Sequence, residues 1–473
     1  MSKKIVGRTF EKQILFDALH SHRSELIAVY GRRRIGKTYL IREFFGKKII
    51  FSFTGLSSGR MAEQIKNFTL KLNEVTNEFK KEKQANDWLE AFSYLKTFLK
   101  GIKESKKKKV IFIDEFPWVD SHKSGFLAAF ENFWNDYCTT RRDLVVVVCG
   151  SAASYMVKKI INNSKGLSKR ITQTIKLKPF NLYETKSFFK YKGILMEEYE
   201  IVKIYMAIGG IAEYLEHIKK GESAVTAIDR LCFQQGSYLE NEYNEVFKSL
   251  FNENSYHQKI INILTKGNKK GITRNEILKE LKISSGGRFS DSLEELIQSG
   301  FVLKYDAYND NMKSVFYRIY DEFCLFHLQF MEPHKGSNWA HLFQKQEYKS
   351  WSGYAFETIC LKHHKEIKKA LKCDQIESKN YSWHNSKAQV DLVIDRNDDV
   401  VNLCEIKFSN DEFSIDANYL KKLRNKETQF RNTTKTRKGI YTVFITTWGI
   451  KSNQYSQAIV TNSLTVKSLF NQE

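Results

Sequence analysis

The sequence predicts an α/β multidomain protein, and three observations lead to that prediction. Strand-length apolar runs rich in β-branched residues alternate with longer helical stretches in the first part of the chain. Such alternation predicts a parallel sheet covered by helices on both faces. A second group of strands follows residue 390. The length of 473 residues exceeds one ordinary core, so about two to four domains are expected.

The first domain is expected over 1–180. Its predicted strands are continuous apolar runs, as burial on both faces requires, and a lysine-rich helical stretch covers about 60–105. The strands are predicted at 25–30, 49–53, 109–114 and 144–150.

The turn after the first predicted strand has the spacing G-x-x-x-x-G-K-[ST] of a phosphate-binding loop. The glycines let the backbone wrap around phosphates, which the loop N–H groups and the following helix N-terminus would bind. Lys37 is expected to reach the β- and γ-phosphates, and Thr38 to ligate Mg²⁺. The alternative is a chance Gly-Lys turn. The loop consists of Gly31, Arg32, Arg33, Arg34, Ile35, Gly36, Lys37 and Thr38.

An acidic pair, Asp114 and Glu115, ends the strand predicted at 109–114. Ligands of α/β proteins bind at the carboxyl ends of the strands, so Asp114 is expected beside the metal. Glu115 would then polarise the attacking water. Two acids after an apolar run say little alone, but together with the phosphate loop they predict a site that hydrolyses a nucleoside triphosphate.

Two further residues are candidates for the same site. Ser151 follows the strand predicted at 144–150 and would contact the γ-phosphate or the water, or would simply cap the strand end. Arg170 would sense the γ-phosphate of its own chain or of a neighbouring subunit. With 76 basic residues in the chain, a chance position of Arg170 is the alternative.

These motifs resemble the archaeal-type ATPase family, an AAA-related branch of the P-loop ATPases found in archaea and bacteria. The resemblance covers about 1–240. It implies an ATP-binding core followed by a helical lid and a winged helix, and it implies that Gly7 and Arg8 lie near the adenine. The residues that carry it are Val6-Gly7-Arg8, the phosphate loop, Phe112-Ile113-Asp114-Glu115-Phe116 and Lys178-Pro179-Phe180.

The middle of the chain is expected to be mostly helical. The strand pattern stops over 181–252, which is expected to be the helical lid. Three amphipathic stripes and two β-like runs within 253–320 have the order of a winged helix-turn-helix. A helical linker is expected over 321–350.

The predicted winged helix contains two recognisable local patterns. Thr273, with Glu276 three residues later, predicts a capping box at the start of its second helix, and Asn309-Asp310-Asn311 predicts a hairpin turn. Basic side chains near the third helix and the wing would meet DNA phosphates, although winged helices also dock proteins. These candidates are Arg288, Lys304 and Lys313.

The last domain, expected over 351–473, contains a predicted hairpin centred on Asp398. Residues equidistant from the centre face each other, so Asp391 would lie opposite Glu405, with Cβ atoms about 4.5–5.5 Å apart. Lys407 follows Glu405 by two residues and shares its face of the strand. The three side chains are therefore expected to converge. Strands are predicted at 390–396, 400–408 and 440–446.

Two carboxylates this close repel each other unless a cation lies between them. Oxygen ligands favour Mg²⁺ or Mn²⁺, so Asp391 and Glu405 are predicted metal ligands. Lys407 would orient water or stabilise the transition state. This chemistry fits phosphodiester hydrolysis. The alternative is a surface hairpin with ordinary charge pairs, such as Lys407 with Glu405.

The spacing D-x13-E-x-K resembles the PD-(D/E)xK nuclease superfamily, whose domain has a restriction-endonuclease-like α/β fold. Glu357, in the preceding helical run, resembles the helical acid of that superfamily. Val390 stands where the proline of the motif would be, which makes the match less specific. The resemblance implies a metal-dependent nuclease that acts on DNA, or a nuclease fold retained for binding alone.

Charge, hydropathy and cysteine content indicate the kind of partner and the location to expect for this protein. The net charge of +22 favours a nucleic-acid partner, and the lysine-rich codon usage of an AT-rich genome explains it equally well. No apolar run approaches the roughly 20 residues that span a bilayer, and the first residues have no apolar signal region, so a cytoplasmic location is expected. The seven cysteines form no C-x-x-C pair and predict neither a zinc site nor a disulfide framework.

Two functional hypotheses follow from these patterns. The first is an ATP-binding and ATP-hydrolysing protein that controls a metal-dependent DNA nuclease domain, in genome defence or DNA processing. The second is an ATP-switched DNA- or protein-binding regulator with an inactive nuclease fold. The expected partners are ATP, Mg²⁺ (with Mn²⁺ as an alternative at the nuclease site) and DNA. No membrane is expected, and a homo-oligomer is a further option.

Overall fold

The strand and helix patterns of the sequence build two units in the computed structural model, Met1–Pro179 and Phe180–Glu473. The structure describes residues 5–76, 84–163, 166–251, 256–266, 271–308 and 315–471. The turn predicted at Asn309-Asp310-Asn311 and the candidate Lys313 lie outside the described residues. The segments predicted as lid, winged helix, linker and last domain all fall in the second unit.

The first unit alternates strands with helices. Its strands are β1 (Glu25–Tyr30), β2 (Ile49–Thr54), β3 (Lys109–Asp114), β4 (Leu144–Gly150) and β5 (Gln173–Lys176). Its helices are α1 (Thr9–His20), α2 (Lys37–Phe45), α3 (Met61–Thr76), α4 (Trp88–Lys100), α5 (Phe116–Val119), α6 (Phe126–Asp136) and the short α7 (Ala153–Tyr155), which a π-helical segment, Met156–Ile161, continues.

The strands of the first unit pair in parallel in the order β2-β3-β4-β1-β5. Strand β1 has β4 on one side and β5 on the other, so the strand order reverses there. Such a switch point opens a crevice at the carboxyl ends of the strands, and the phosphate loop begins there. The four predicted strands are confirmed. Strand β5 escapes prediction because Ile175 is its only apolar residue.

Aromatic residues at helical spacing hold α4 and α6 against the sheet. Trp88 and Phe92 of α4, and Phe126 and Phe130 of α6, are all buried and belong to one core cluster with the strands. The rings of Trp88 and Phe126 meet edge to face at 4.8 Å. Each side chain of this size contributes about 1.5–3 kcal/mol through burial.

The second unit is longer and mixes helices with two sheets. Its helices are α8 (Leu182–Tyr191), α9 (Glu198–Ile208), α10 (Ala212–Glu216), α11 (Ala224–Cys232), α12 (Glu242–Leu250), α13 (His257–Lys266), α14 (Arg274–Leu281), α15 (Gly287–Gln298), α16 (Glu322–Phe326), α17 (Trp339–Leu342), α18 (Gln346–Lys362), α19 (His364–Ala370), α20 (Ala417–Thr434) and α21 (Gln454–Gln457). Its strands are β6 (Ile272–Thr273), β7 (Val302–Asp306), β8 (Val315–Ile319), β9 (Ser378–His384), β10 (Gln389–Arg396), β11 (Val400–Lys407), β12 (Gly439–Thr446) and β13 (Val460–Thr465).

Helices α13, α14 and α15 precede the antiparallel pair β7–β8, and β6 joins the other edge of β8. The predicted capping box is confirmed: Glu276 N–H donates to Thr273 Oγ1, and the Thr273 N–H donates back to the Glu276 carboxylate at 2.7 Å. Arg288 and Lys304 are exposed. The winged-helix assignment of this group stays a prediction.

The second sheet of this unit has the order β13-β12-β11-β10-β9. Strands β9, β10 and β11 are antiparallel neighbours, whereas β12 and β13 continue in parallel. Leu392 faces Cys404 and Val393 faces Leu403, so the register is the predicted one, with Asp398 at the centre. Strands β9 and β13 are not predicted because polar residues interrupt both.

Helix α20 packs one face on this sheet. Its apolar residues Leu423 and Phe430 are buried, and the Phe430 ring meets Trp383 of β9 at 5.3 Å. Asp416 caps the helix by accepting from the Tyr419 N–H at 2.7 Å. Among the residues that the structure describes, no helix is both long enough and apolar enough to cross a membrane.

Candidate functional site

Two glycines shape the loop between β1 and α2. Gly31 has a φ of +150°, and a Cβ there would lie 2.2 Å from the carbonyl oxygen of Leu177, a distance that no side chain tolerates. Gly36 has a φ of +89°, in the region that glycine adopts at low cost. The close approach of the segment after β5 and the turn into α2 therefore both require glycine.

Lys37 begins α2 and is buried. Its Nζ donates to the carbonyl oxygens of Gly31 at 3.0 Å and of Arg32 at 2.8 Å, which places the ammonium group inside the curve of the loop. The N–H groups in the first turn of α2, which have no acceptor within the helix, lie at the same end of the helix as the positive end of its dipole. Both are next to the Lys37 ammonium group. A phosphate held by this loop would meet both.

Thr38 and Asp114 meet across the carboxyl edge of the sheet. Thr38 Oγ1 donates to Asp114 Oδ2 at 2.7 Å, and the N–H of Glu115 donates to Asp114 Oδ1 at 3.0 Å. Hydroxyl and carboxylate oxygens are the ligands that Mg²⁺ takes beside nucleotide phosphates. The donor set at this edge therefore fits the magnesium ion that accompanies a nucleotide.

Glu115 is held by Ser151 from the end of β4. The backbone of Glu115 is left-handed, with a φ of +46°, and its Oε2 accepts from the Ser151 hydroxyl at 2.8 Å and from the Ser151 N–H at 3.2 Å. The sequence predicts Ser151 at this edge, but it predicts contact with phosphate or water. In the structure the partner of Ser151 is the carboxylate that would orient the water.

The segment that begins α1 lies against the phosphate loop. Gly7 and Arg8 both have positive φ angles, +60° and +55°. The guanidinium of Arg8 is buried and donates to the carbonyl oxygens of Lys178 at 2.7 Å and of Ile35 at 3.4 Å. Arg8 therefore ties the segment after β5 to the loop, while its contact with adenine stays a prediction. The remaining loop side chains are buried or half-buried: Arg32, Arg33, Arg34 and Ile35.

Arg170 is the exception among the predicted site residues of the first unit. It precedes β5 by three residues, Thr172 N–H donates to Leu26 O at 2.9 Å, and Arg170 Nε donates to Asn135 Oδ1 at 2.8 Å. These contacts lie at the amino ends of the strands. The phosphate loop lies at the opposite edge, about 20 Å away along a six-residue strand. The prediction that Arg170 senses a phosphate of its own chain is therefore wrong, whereas the exposed side chain keeps a role toward a neighbouring subunit as a prediction.

In the second unit the hairpin brings Asp391, Glu405 and Lys407 together. Asp391 Oδ2 accepts from the N–H of Ile406 at 3.0 Å, which places its carboxylate against the neighbouring strand. Lys407 Nζ lies 2.7 Å from Glu405 Oε1. The three side chains therefore lie together, as predicted. The Lys407–Glu405 ion pair, which the alternative of a surface hairpin with ordinary charge pairs predicts, is also present.

Helix α20 supplies two residues that the sequence analysis misses. Tyr419 Oη donates to Glu405 Oε1 at 2.6 Å, and Lys426 Nζ donates to Glu405 Oε2 at 2.5 Å. Tyr419, Leu423, Lys426 and Phe430 are spaced as one helical face. A lysine within an apolar stripe is the pattern that could have revealed Lys426.

The two carboxyl groups of this site have opposite pKa shifts. Burial, together with the neighbouring Glu357 and Glu405, raises the pKa of Asp391 to about 7. Burial also opposes the charge of Glu405, but Lys407 and Lys426 outweigh it and lower the pKa of Glu405 to about 2. Glu357 itself is buried on α18, the helix that packs against β11.

The donor chemistry of Asp391 and Glu405 suits Mg²⁺ or Mn²⁺, since both offer carboxylate oxygens. In the structure, however, the ammonium groups of Lys407 and Lys426 contact both carboxylate oxygens of Glu405. Across the described ranges, no group of three or more histidine, cysteine, aspartate and glutamate side chains is arranged to hold a metal. A cation could use Glu405 only where one of these ammonium groups leaves.

Comparison with known families agrees with the geometry of the first unit. Residues 6–218 match the model of an ATPase domain that occurs predominantly in archaea. The match supports a P-loop ATPase domain in this part of the chain. The match includes the phosphate loop, the acidic pair and Ser151, and it ends within the helices that follow the sheet. It supports the use of a nucleotide with Mg²⁺.

Relatives extend the similarity beyond this domain. The chain is 27% identical over 415 residues to an uncharacterized protein of Methanocaldococcus jannaschii, in an alignment that covers 86% of this chain and 88% of the relative. Among solved structures it is similar to a Walker-type ATPase of Pyrococcus abyssi, with 17% identity, a TM-score of 0.46 and coverage of 69% of this chain and 96% of the other. The ORC2 protein of Aeropyrum pernix, with ADPNP and ADP, gives 14% identity, a TM-score of 0.45 and coverage of 69% and 94%.

Proposed function

We propose that the P-loop ATPase domain controls a metal-dependent DNA nuclease site in the second unit, in DNA processing or genome defence. The observation that carries this proposal is the meeting of Asp391, Glu405 and Lys407 on two paired strands, in the register expected for the D-x13-E-x-K spacing. Two carboxylates and a lysine at one point of a sheet suit phosphodiester hydrolysis.

In the first unit, the loop and Lys37 bind the β- and γ-phosphates, and Thr38 with Asp114 holds Mg²⁺. The metal, when bound, neutralises the charge of the phosphates. Glu115 orients and polarises the attacking water, and Ser151 fixes the carboxylate of Glu115 through two hydrogen bonds. Gly7 and Arg8 form the edge of the nucleotide site.

In the second unit, Asp391 and Glu405 would hold Mg²⁺ or Mn²⁺, and the metal would supply a nucleophilic water and a positive charge at the scissile phosphate. Lys407 stabilises negative charge that develops on the phosphate oxygens. Burial and, after it, the neighbouring Glu357 raise the pKa of Asp391, so Glu357 would contribute to the charge state of the site. Tyr419 orients Glu405.

The helices of 181–252 serve as the lid, and the three-helix group with β6, β7 and β8 serves as a winged helix on DNA. Exposed Arg288 and Lys304 would contact backbone phosphates. ATP that binds one arrangement of the lid better than another shifts the population of that arrangement. This shift would change how DNA reaches the acidic site. A homo-oligomer would give Arg170 a neighbouring nucleotide to contact.

The test is a cleavage assay on labelled single- and double-stranded DNA with Mg²⁺ or Mn²⁺, with and without ATP. We expect strand scission that responds to ATP and is lost in Asp391→Ala. Scission that is unchanged by Asp391→Ala would contradict the assignment of the nuclease site. Scission that is identical with and without ATP would contradict control of that site by the ATPase domain.

A second candidate function is supported by the ammonium groups on Glu405. Because Lys407 and Lys426 already balance its charge, the domain would also suit an ATP-switched DNA- or protein-binding regulator that does not cut. This alternative predicts DNA affinity that changes with nucleotide but no scission with any divalent metal. The same assay, combined with DNA binding measured by fluorescence anisotropy, separates the two functions.

A further inference from the structure

The chain enters every strand of the first sheet from the same edge, because all five strands run in parallel. This edge, the amino edge, lies opposite the phosphate loop. The segments that enter the strands contain eleven lysines and arginines but only two acids, whereas the whole chain has 76 basic and 54 acidic residues. A general surplus of lysine therefore does not explain the bias. The entering segments are 21–24, 46–48, 101–108, 137–143 and 166–172.

Each entering segment presents an exposed base at the amino edge. The three central strands, β3, β4 and β1, start within one residue of each other in the paired register, and each has an exposed base two residues before its start. Adjacent strands lie about 4.8 Å apart, so five strands spread the bases over about 19 Å. In strand order from β2 to β5, the exposed bases include Lys48, Lys107, Arg142, Arg23 and Lys169.

The helix dipole does not account for the three central bases. Arg23, Lys107 and Arg142 lie at least three residues beyond the α-helices that precede them, and the dipole acts only within the last turn of a helix. A ligand with negative charge is the remaining reason to collect bases at this edge.

A buried lysine fixes the backbone of the two central arginines. Lys108 Nζ donates to the carbonyl oxygen of Arg142 at 2.8 Å and to that of Arg23, so it joins the segments that enter β3, β4 and β1. The Arg142 N–H also donates to Oε1 of the exposed Glu104 at 3.0 Å. The backbone that carries these bases is therefore ordered before a ligand binds, which lowers the entropic cost of binding.

The buried acids at the amino edge are paired within the chain. The carboxylate of Asp143 pairs with Arg141, 2.9 Å away, and with Lys109. Glu25 is buried and lies 3.2 Å from Arg23 Nε, yet 70% of the Arg23 side chain stays exposed. The charge that this edge presents to solvent is therefore mainly positive.

The chemistry of the amino edge fits the backbone of duplex DNA better than a membrane, a protein or a single strand. None of the exposed large hydrophobic side chains in the described part of the chain belongs to the entering segments. Membrane-binding surfaces need apolar anchors, protein interfaces are enriched in aromatic residues, and single strands stack their bases on aromatic rings. A width of about 19 Å corresponds to about six base pairs of duplex at 3.4 Å each.

We propose that the amino edge of the first sheet binds the phosphate backbone of duplex DNA, at the edge of the first unit opposite the phosphate loop. Contacts with phosphates carry no information about base sequence, so this binding is independent of sequence and falls steeply with salt. It is separate from the contacts proposed for Arg288 and Lys304. Binding at this edge requires neither a metal ion nor strand scission, so it goes beyond the proposed nuclease function.

The test measures binding of the full-length protein to a labelled DNA duplex by fluorescence anisotropy at several salt concentrations. Each phosphate contact contributes about 0.9 to the slope of log K against log[salt]. The triple variant Arg23→Gln, Lys107→Gln, Arg142→Gln should therefore lower this slope by about two to three and weaken binding about ten- to a hundredfold at about 0.1 M salt. Its ATP affinity should stay as in wild type, which shows that the variant is folded.

The matched control removes three exposed bases of the same unit that follow β2 and β3, away from the amino edge. It combines Arg60→Gln, Lys66→Gln and Lys123→Gln. The net charge falls by the same amount, but the slope should change by less than about one because no phosphate contact is lost.

An unchanged slope and affinity in the triple variant, or no binding of the wild type to the duplex, would overturn the DNA-binding role of the amino edge. Equal losses in the triple variant and the control would attribute binding to net charge alone and would overturn it too. So would binding of the wild type to vesicles that contain phosphatidylserine but not to DNA. Absence of scission in the cleavage assay would leave these results unaffected, so the two proposals fail separately.

Discussion

The two candidate sites differ in what holds their lysines. Lys37 donates to the neutral carbonyl oxygens of Gly31 and Arg32, whereas Lys407 and Lys426 are paired with the charged carboxylate of Glu405. A hydrogen bond that involves a charged group contributes about 1.5–3 kcal/mol, and this holds in both sites because each donor is a lysine ammonium group. The sites differ in the acceptor that is left behind: the carbonyl oxygens of the loop carry no charge, whereas Glu405 would remain as a buried carboxylate with less compensation. Nucleotide phosphates can therefore replace the loop carbonyl oxygens as acceptors of Lys37 at a low cost in free energy. The acidic site exchanges partners only when another anion compensates.

The largest effect is expected where the first site performs chemistry. Glu115→Gln removes the carboxylate that polarises water and should lower the ATP hydrolysis rate by about 10²–10⁴-fold, while nucleotide affinity is retained because the phosphate contacts of Lys37 remain. Single-turnover hydrolysis and nucleotide titration measure the two quantities. Hydrolysis at the wild-type rate would contradict the role assigned to Glu115.

Removal of the loop lysine tests whether the first site binds phosphate as described. Lys37→Ala should weaken ATP binding by about 2–5 kcal/mol, the cost of losing one partner of a buried charge pair. Titration with a fluorescent ATP analogue measures it. Mn²⁺ binding at the acidic site should not change, and a parallel loss there would show that the variant is unfolded or that the sites are not separate.

Acid should destabilise the second unit through His363. This buried histidine accepts from the Leu182 N–H with Nε2 at 3.0 Å, and burial lowers its pKa from the usual 6.5 to about 4. The folded state binds a proton on His363 less readily than the unfolded state does. The contribution of neutral His363 to the free energy of unfolding is therefore complete above pH 6.5, and it falls by about 1.4 kcal/mol per pH unit between pH 6.5 and pH 4.

Urea unfolding at several pH values, followed by hydrogen exchange of the second unit, measures this loss. His363→Gln should be less stable at pH 7 and should show a flatter dependence between pH 6.5 and 4. An equal slope in wild type and variant would assign the acid sensitivity to other groups.

The smallest effect concerns the positioning of Glu115. Ser151→Ala removes the hydroxyl that donates to Glu115 at 2.8 Å and leaves the backbone hydrogen bond, so ATP hydrolysis should slow by about tenfold, or ~1.4 kcal/mol. Ser151→Thr keeps a hydroxyl and should restore most of the rate. A rate that rises in Ser151→Ala would mean that Ser151 restrains Glu115 rather than positions it.

The sequence predicts most of the first site because its constraints are local. Gly31, Gly36 and Lys37 have fixed spacing in one loop, and Asp114 follows directly from a buried strand. The prediction puts Arg170 at the wrong end of the sheet because its position depends on β5. That strand has a single apolar residue, so no periodicity in the sequence reveals it. Long-range pairing between β1 and β5 decides which edge of the sheet Arg170 occupies.

The acidic site shows the same division between local and distant information. The β10–β11 hairpin is local, so its centre at Asp398 fixes the meeting of Asp391 and Glu405. Lys426 and Tyr419 come from a helix that reaches Glu405 only through tertiary packing. Pattern reading cannot select Lys426 from so many lysines unless the apolar positions around it are recognised first.

Cleavage of a labelled DNA duplex in Mg²⁺, with and without ATP, by wild type, Asp391→Ala and Lys37→Ala tests the central claim most directly. Control of the acidic site by the ATPase domain predicts that wild-type scission changes with ATP, that Lys37→Ala cuts at one rate regardless of ATP, and that Asp391→Ala hydrolyses ATP but does not cut. Scission by Asp391→Ala, or an ATP response that persists in Lys37→Ala, would contradict it.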